Sequence, residues 1–517
     1  MLTKTAKPSR WATLATFIAI QAVLVCWWLA YYPGLFSRDS VLYLSHTMVG
    51  PWVSDHSVTY DALLWLSVRL TGDIGAVTLL QTTAMAATLA YLAAALKALG
   101  APRRTTTAVA VLLPFLPPVG AFSVALWKDV PFTLCAVAIA ASCAGLAAAR
   151  RVTAWRLAGL GTLMLALGLF RANGFLVVGV AVAVLLVVVK GARVRLAVVG
   201  LVAAVVPLLL SSLVLPRVGI EAPSKTYVYH TAFGDIAVLY REHPELFGDR
   251  DRTLMTSVAP LSRWNEGGTC YTINPLIWRR DFSWQQADRH AGELLELWRR
   301  LLTQRPIDVV DARLCRGSIA WNPVQDEWAV GGQTYHFSRR PSAETYVGPN
   351  KVPDYPQRWM FSLRPKSEDL HRVADSWLLT SGEPGYDWLL WRGATWAYLS
   401  YLAAGLAAWA LRSRYVPAVV AVVAGQQLAV LANISAQDFR YMATPIFVGM
   451  LMVPLLFGSL VRVLRGTRRS AAEPAKSPEP AKSPEPAKSP EPAKSSGPAK
   501  SPEPVKDSEA VPDPETG

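Results

Sequence analysis

Residues 11–30 read WATLATFIAIQAVLVCWWLA, a run with no charged residue that, as a helix, is long enough to cross the hydrocarbon of a bilayer. No small-residue cleavage site follows it and many similar stretches do, so it reads as a membrane span rather than a removable leader. The chain has 517 residues and is 52% hydrophobic, more apolar surface than a soluble core requires. The expectation is an α-helical polytopic membrane protein of about ten transmembrane helices, near 11–31, 73–97, 105–122, 129–148, 155–170, 174–190, 195–216, 391–411, 415–433 and 441–461.

Basic residues sort the connections between these spans. Lys4, Lys7 and Arg10; Lys97, Arg103 and Arg104; Arg150, Arg151 and Arg156; Lys190, Arg193 and Arg195; Arg412 and Arg414; and Arg462, Arg465, Arg468 and Arg469 fall in alternate connections. The positive-inside rule makes these connections and both termini cytoplasmic. The formal charge of +14 is thereby assigned mostly to topology, and no nucleic-acid partner is implied.

Four regions follow. Residues 1–216 form a membrane module of about seven spans, whose first outer loop, 32–72, carries interfacial helices. Residues 217–390 form an extracytoplasmic domain, residues 391–463 a second membrane module of about three spans, and residues 464–517 a disordered cytoplasmic tail. The tail repeats EPAKSP with no large apolar residue, holds no core, and reads as a solvated spacer. Cys270 and Cys315 both fall in the extracytoplasmic domain, whereas Cys26, Cys135 and Cys143 lie within spans. Two thiols in an oxidising compartment are expected to form a disulfide, the alternative being two unpaired buried cysteines.

No ionisable residue sits in the middle of any expected span. Such residues gather instead at the outer ends: Asp39 in FSRDS, Asp55 and His56 in SDHS, Lys128 and Asp129 in WKDVP, Arg171 and Asn173 in FRANG, and Asp438, Arg440 and Tyr441 in QDFRY. Each has an ordinary structural reading. Ser37 can cap a helix with Asp39 favourable at its positive end, Asp129 and Pro131 make a good helix start, Asn173-Gly174 is a common turn, and Lys128 or Arg440 can anchor at the interface. Five unrelated stretches brought to one membrane face favour a shared site instead.

That set suits transfer from a lipid-linked donor. Lys128, Arg171 and Arg440 can bind an anionic phosphate by charge-assisted hydrogen bonds, and Asp39 can take a proton from an acceptor hydroxyl. Asp55, His56, Asp129, Asn173, Asp438 and Tyr441 are candidates for substrate binding. The stretch from Ser57 to Leu70, with Asp61 and Arg69 among apolar residues at helical spacing, can lie in the interface. No Cys-x-x-Cys or His-Glu-x-x-His pattern marks a metal site, so the cofactor is unknown and a divalent cation remains open.

In an acidic residue just beyond the first span, in FSRDS, in an interfacial region SDHSVTYDALLWL and in a large outer domain, the chain resembles the multi-spanning C-fold (GT-C) glycosyltransferases over roughly residues 1–460, and YPGLFSRDS, LWKDVPF, FRANGF and DFRYMATP carry a nearer resemblance within them. Among these are the protein O-mannosyltransferases and the lipid A aminoarabinose transferase. The resemblance is nearest to a bacterial branch of uncharacterised relatives. It implies a polyprenyl-phosphate sugar donor, an envelope glycan, lipid or protein acceptor, and a role for Asp39 as base or metal ligand. Where many members carry a second adjacent acid this chain has Ser40, and His56 precedes Ser57 rather than proline. The competing readings are a transporter or lipid flippase, which empty span interiors and the lack of an inverted repeat disfavour, and a non-catalytic envelope protein that binds through its outer domain.

Overall fold

The computed structural model describes residues 9–324, 360 and 362–472. Residues up to Gly466 make one compact unit, and the second, Thr467–Gly517, is described only as the end of a helix that runs to Ala472. The segment from residue 464, expected as tail, thus starts helical, and the remainder of that expectation lies outside the described residues. All regular structure among the described residues is helical, apart from three isolated bridges.

The first ten α-helices are α1 (Arg10–Ala30), α2 (Arg38–Met48), α3 (Val58–Thr71), α4 (Gly75–Leu99), α5 (Arg103–Leu112), α6 (Pro117–Ser123), α7 (Asp129–Ala149), α8 (Ala154–Phe170), α9 (Gly174–Val188) and α10 (Arg193–Leu209). Five segments are long and apolar enough to cross a membrane: Arg10–Ala30, Gly75–Leu99, Asp129–Ala149, Lys190–Val218 and Phe439–Arg465. A sixth is made if the segments Arg103–Phe115 and Pro117–Ser123, bent by 62° to one another, count as one span. Pro114, Pro117 and Pro118 explain the bend, since each lacks the N–H that would continue the helical ladder. The expected number of about ten is therefore reduced to five or six by length and composition. The other four expected spans are helical but shorter or more polar: α8, α9 and Val416–Ala432 are brief, and Gly393–Ala410 carries Thr395, Tyr398, Ser400 and Tyr401.

The helices form one bundle in which α4 packs on α1 and α7, α7 on α8, α10 on α8 and α9, and the helix Ala421–Ala432 on α9. Small residues permit the closest crossings. A Cβ at Gly425 would come within 2.5 Å of the Val177 carbonyl, and one at Gly449 within 2.4 Å of the Trp396 carbonyl.

Residues after Val218 build a second apolar core from Phe233, Ile236, Leu239, Trp264, Leu297 and Leu301. Asp235 is wholly buried there and accepts from Arg313 and Arg316 at 2.6 and 3.0 Å, which joins the helices His230–Glu242 and Pro306–Arg316. A disulfide links Cys270 to Cys315, with Cα atoms 5.7 Å apart. Beside it the chain from Ala432 to Gln437 is strapped down. Arg313 donates to the Ala432 carbonyl (3.1 Å), Ile273 N–H to the Ser435 carbonyl (2.9 Å), and Gln437 Nε2 to the Cys315 carbonyl (3.0 Å).

The disulfide closes a loop of 45 residues, which in the chain-entropy picture stabilises the fold by about 4 kcal/mol. The Cys270→Ser/Cys315→Ser double variant should unfold at a lower temperature than the parent. Peptide mapping without reductant should recover the linked pair, and finding both thiols free in protein from an oxidising compartment would sink the assignment.

Candidate functional site

The site begins with the way α2 is started and docked. Ser37 caps α2, its Oγ accepting from the Ser40 N–H while Ser40 Oγ accepts from the Ser37 N–H. Both hydroxyls also reach the segment before α7: Trp127 Nε1 donates to Ser37 Oγ at 2.5 Å, and Ser40 Oγ donates to the Leu126 carbonyl at 2.8 Å. Backbone bonds of 3.0 Å from Leu35 N–H to Val124 and from Leu126 N–H to Leu35 complete the seam. The cap thus holds Asp39, in the first turn of α2, against the residues that lead into Lys128 and Asp129.

Arg440 is the centre of the cluster. It contacts Asp39 at 2.6 Å, Asp438 at 3.0 Å and Asp129 at 3.7 Å. Asp129 also pairs with Arg171, whose Nε donates to Asn173 Oδ1 at 2.9 Å. The two guanidinium groups lie 5.1 Å (Arg440) and 4.4 Å (Arg171) from the centre of the Tyr441 ring, and Arg440 lies 4.8 Å from that of Trp127, arrangements that favour cations. Lys128 Nζ donates to His56 Nδ1 at 3.0 Å. Asp55 is placed beside them, its carboxylate 4.0 Å from His46. The structure therefore brings together Asp39, Asp55, His56, Lys128, Asp129, Arg171, Asn173, Asp438, Arg440 and Tyr441, all ten residues singled out in the sequence. It changes the roles of two of them. Arg171 and Arg440, expected to await a phosphate, are engaged by carboxylates, because burying an unpaired guanidinium beside acids costs more than pairing it. Lys128 differs, having no carboxylate within 4.0 Å among the described residues.

Electrostatics follow from this pairing. Burial by itself would raise the Asp39 carboxyl, but Arg440, reinforced by Lys128, more than offsets it and holds the group well below the usual carboxylate range. Burial lowers His56 well below the ordinary imidazole value and Lys128 adds to this, so the ring is neutral and its Nδ1 can accept from the lysine. Burial also lowers the Lys128 ammonium, with Asp129 opposing and Arg171 assisting.

Three residues of this neighbourhood escaped the sequence analysis as site residues. Asp39, Tyr43 and His46 are spaced i, i+4, i+7 along α2, and this shared helical face was the legible signal. The Tyr43 ring meets His56 and Tyr60 edge-on at 5.1 and 5.4 Å, and its hydroxyl is buried without a hydrogen-bond partner among the described residues. Asp61 is fully buried on α3, 3.6 Å from His46, and neither of its oxygens has a hydrogen-bond partner among the described residues. In the sequence it stands, with Arg69, among apolar residues at helical spacing, a pattern read as an interfacial helix; in the structure Trp65, Leu66 and Leu70 of that helix are exposed while Asp61 is buried. Among the described residues no group of three or more His, Cys, Asp or Glu is arranged to hold a metal ion.

Comparison with known proteins returned no match to a family model, a curated protein or a solved structure.

Asp61 supplies a test of the buried wall. Burial, the largest cause, raises its carboxyl above the usual range; His46 and Lys128 oppose this and Asp55 adds to it. A raised folded-state value means that the fold favours the protonated acid, so its stabilisation is complete below the unfolded value and is lost as pH rises through the folded one. Asp61→Asn, which mimics the neutral acid, should raise the unfolding temperature at about pH 8 and have little effect near pH 4. An Asn variant less stable than the parent at every pH would show that Asp61 is held as a carboxylate.

Proposed function

We propose that the protein transfers a sugar from a polyprenyl-phosphate donor to a hydroxyl acceptor at the extracytoplasmic side of a cell membrane, as the GT-C resemblance implies. In this reading α8, α9, Gly393–Ala410 and Val416–Ala432 complete ten spans, both termini are cytoplasmic, and residues 217–390 lie outside. The observation that supports it best is the convergence of five stretches, separated by up to about 400 positions, on one ion cluster where Asp39 meets Arg440 and Lys128 lacks a carboxylate. Acceptors compatible with it are envelope glycan, lipid or protein, and the surrounding membrane lipids hold the donor's tail.

The chemistry is assigned to the chain's own groups. The acceptor oxygen bonds to the anomeric carbon, the bond from that carbon to the phosphate oxygen breaks, and the acceptor proton passes to Asp39. Polyprenyl phosphate leaves with one more negative charge than it carried as donor, and Lys128, which has no carboxylate within 4.0 Å among the described residues, is assigned to receive it. An Asp39 held by Arg440 is a weak base. Arg440, already shared among three acids, can turn toward the phosphate as its charge grows, and Asp39 becomes more basic as that contact is lost.

Asp39→Asn should lower kcat by on the order of a hundred- to ten-thousandfold and, by removing the charge paired with Arg440, also lower the unfolding temperature, with donor binding nearly unchanged, while Lys128→Ala should mainly raise the donor KM. Labelled-sugar transfer by purified protein, tested over a panel of polyprenyl-phosphate sugars, measures both. Full activity of Asp39→Asn, with a donor and acceptor on which the parent works, would remove Asp39 from the mechanism. Movement of donor across a vesicle membrane without transfer would replace the reading by a flippase.

A further inference from the structure

A separate cavity of about 930 Å³ opens at the other end of the bundle, between the α4–α5 turn and the C-terminal helix Ala443–Ala472. It is remote from the cluster around Arg440: twenty-two residues of mostly helical chain separate Arg440 from Arg462, about 33 Å at the α-helical rise. Lys97, Arg103, Arg462 and Arg465 line it, and among the described residues no acidic residue does.

Two features point to a ligand. Lys97 is only 8% exposed, and its one hydrogen bond among the described residues is to Thr107 Oγ1 at 2.9 Å. An ammonium has three donors, and a buried one without a counter-charge is costly. Neither Lys97, Arg462 nor Arg465 has a carboxylate within 4.0 Å among the described residues, although Arg462 donates to the Gly100 carbonyl at 2.6 Å. The second feature is the layout of the wall. Val453, Phe457 and Val461 follow at i, i+4, i+8 along one face of the C-terminal helix and lead to Arg462 and Arg465, with Val109 opposite on α5. Apolar lining extends over about 12 Å of helix before the basic end is reached. A soluble anion would leave that lining empty, whereas an amphiphile with an anionic head would fill both parts.

We propose that this cavity binds an anionic phospholipid, its phosphate on Lys97, Arg462 and Arg465 and its acyl chains along Val109, Val453, Phe457 and Val461. The site is independent of the transfer reading, since no residue of the Arg440 cluster lines it. Positive charges at helix ends set topology in any membrane protein; their concentration in a concave cavity that also holds a buried lysine, with no acid lining it among the described residues, is what topology alone does not require.

The test uses the full chain, purified in mild detergent and reconstituted in nanodiscs of mixed phosphatidylglycerol and phosphatidylcholine, with co-purifying lipid measured by mass spectrometry. The parent should retain phosphatidylglycerol over phosphatidylcholine by about tenfold, and the Lys97→Met/Arg462→Gln/Arg465→Gln variant should lose most of that preference, since each basic contact near a surface phosphate contributes a several-fold factor. Arg465→Gln alone alters only an exposed side chain and should show a partial loss, so the proposal stays testable if the triple variant fails to fold. Inorganic phosphate at tens of millimolar should not displace the lipid. Equal retention of the two lipids by the parent, an unchanged preference in Arg465→Gln and the triple variant, or complete displacement by inorganic phosphate would overturn it.

Discussion

The arrangement turns on one guanidinium shared by three carboxylates. Arg440 contacts Asp39 from the first turn of α2, Asp129 from the start of α7, and Asp438 from its own turn. Each acid arrives on a different part of the chain, and none could be buried without it at low cost. Arg440 is therefore a structural pin as well as part of a candidate site. Added to the seam between the α2 cap and the segment before α7, the pairing ties both to the turn before the last span. Trp127 contributes to both parts of this joint: its Nε1 donates to the Ser37 cap, and its ring faces the Arg440 guanidinium.

The pin is itself held from behind. Gln437 Nε2 reaches the Cys315 carbonyl, Ile273 N–H reaches Ser435, and the disulfide ties Cys270 to Cys315, so the turn bearing Asp438 and Arg440 is clamped between two segments of the region after Val218. Phe439 completes the clamp from the bundle side, its ring 4.7 Å from Trp391 and 5.9 Å from Phe122. A disulfide two contacts away from Arg440 does more than stabilise a remote domain: it restricts the one turn whose displacement would uncouple Asp39 from its cation. This gives the 217–390 region a structural part in shaping the site, beyond any partner or acceptor it binds.

Much of this was legible in the residues, and the limits have physical causes. Long apolar runs such as Arg10–Ala30 and Asp129–Ala149 declare themselves because a spanning helix must satisfy its backbone internally and its side chains in hydrocarbon. Length separates the less certain cases: α9 has 15 residues and α8 has 17, below the usual span, although their sequences are as apolar as any in the chain. The site residues were recognisable as polar groups at helix ends. Their partners were not, because Asp39 and Arg440 are 401 positions apart and no local pattern encodes a contact at that separation. His46 and Tyr43 were recoverable from helical spacing on α2. Burial of Asp61 was not, since α3 presents exposed Trp65 and Leu66 four and five residues further on, and the facing surface comes from elsewhere in the fold.

The difference between Arg440 and Lys128 governs how the cluster can respond to an anion. Removing Arg440 would leave Asp39, Asp129 and Asp438 without the guanidinium they share, with Arg171 paired only to Asp129 and Lys128 acting only from beyond 4.0 Å, and breaking a buried pair in this way typically costs about 3–5 kcal/mol through the charge left behind. Any loss of function on its removal would therefore mix folding with chemistry. Lys128 is unlike it: its partner is a neutral imidazole, so its removal strands no carboxylate. The same asymmetry holds for ligand binding. A phosphate approaching Arg440 must compete with three carboxylates already in place, whereas at Lys128, which has no carboxylate within 4.0 Å among the described residues, it displaces one hydrogen bond to His56. The first anion is accordingly drawn to the lysine side, and Arg440 responds only when negative charge builds up beyond what one ammonium can balance.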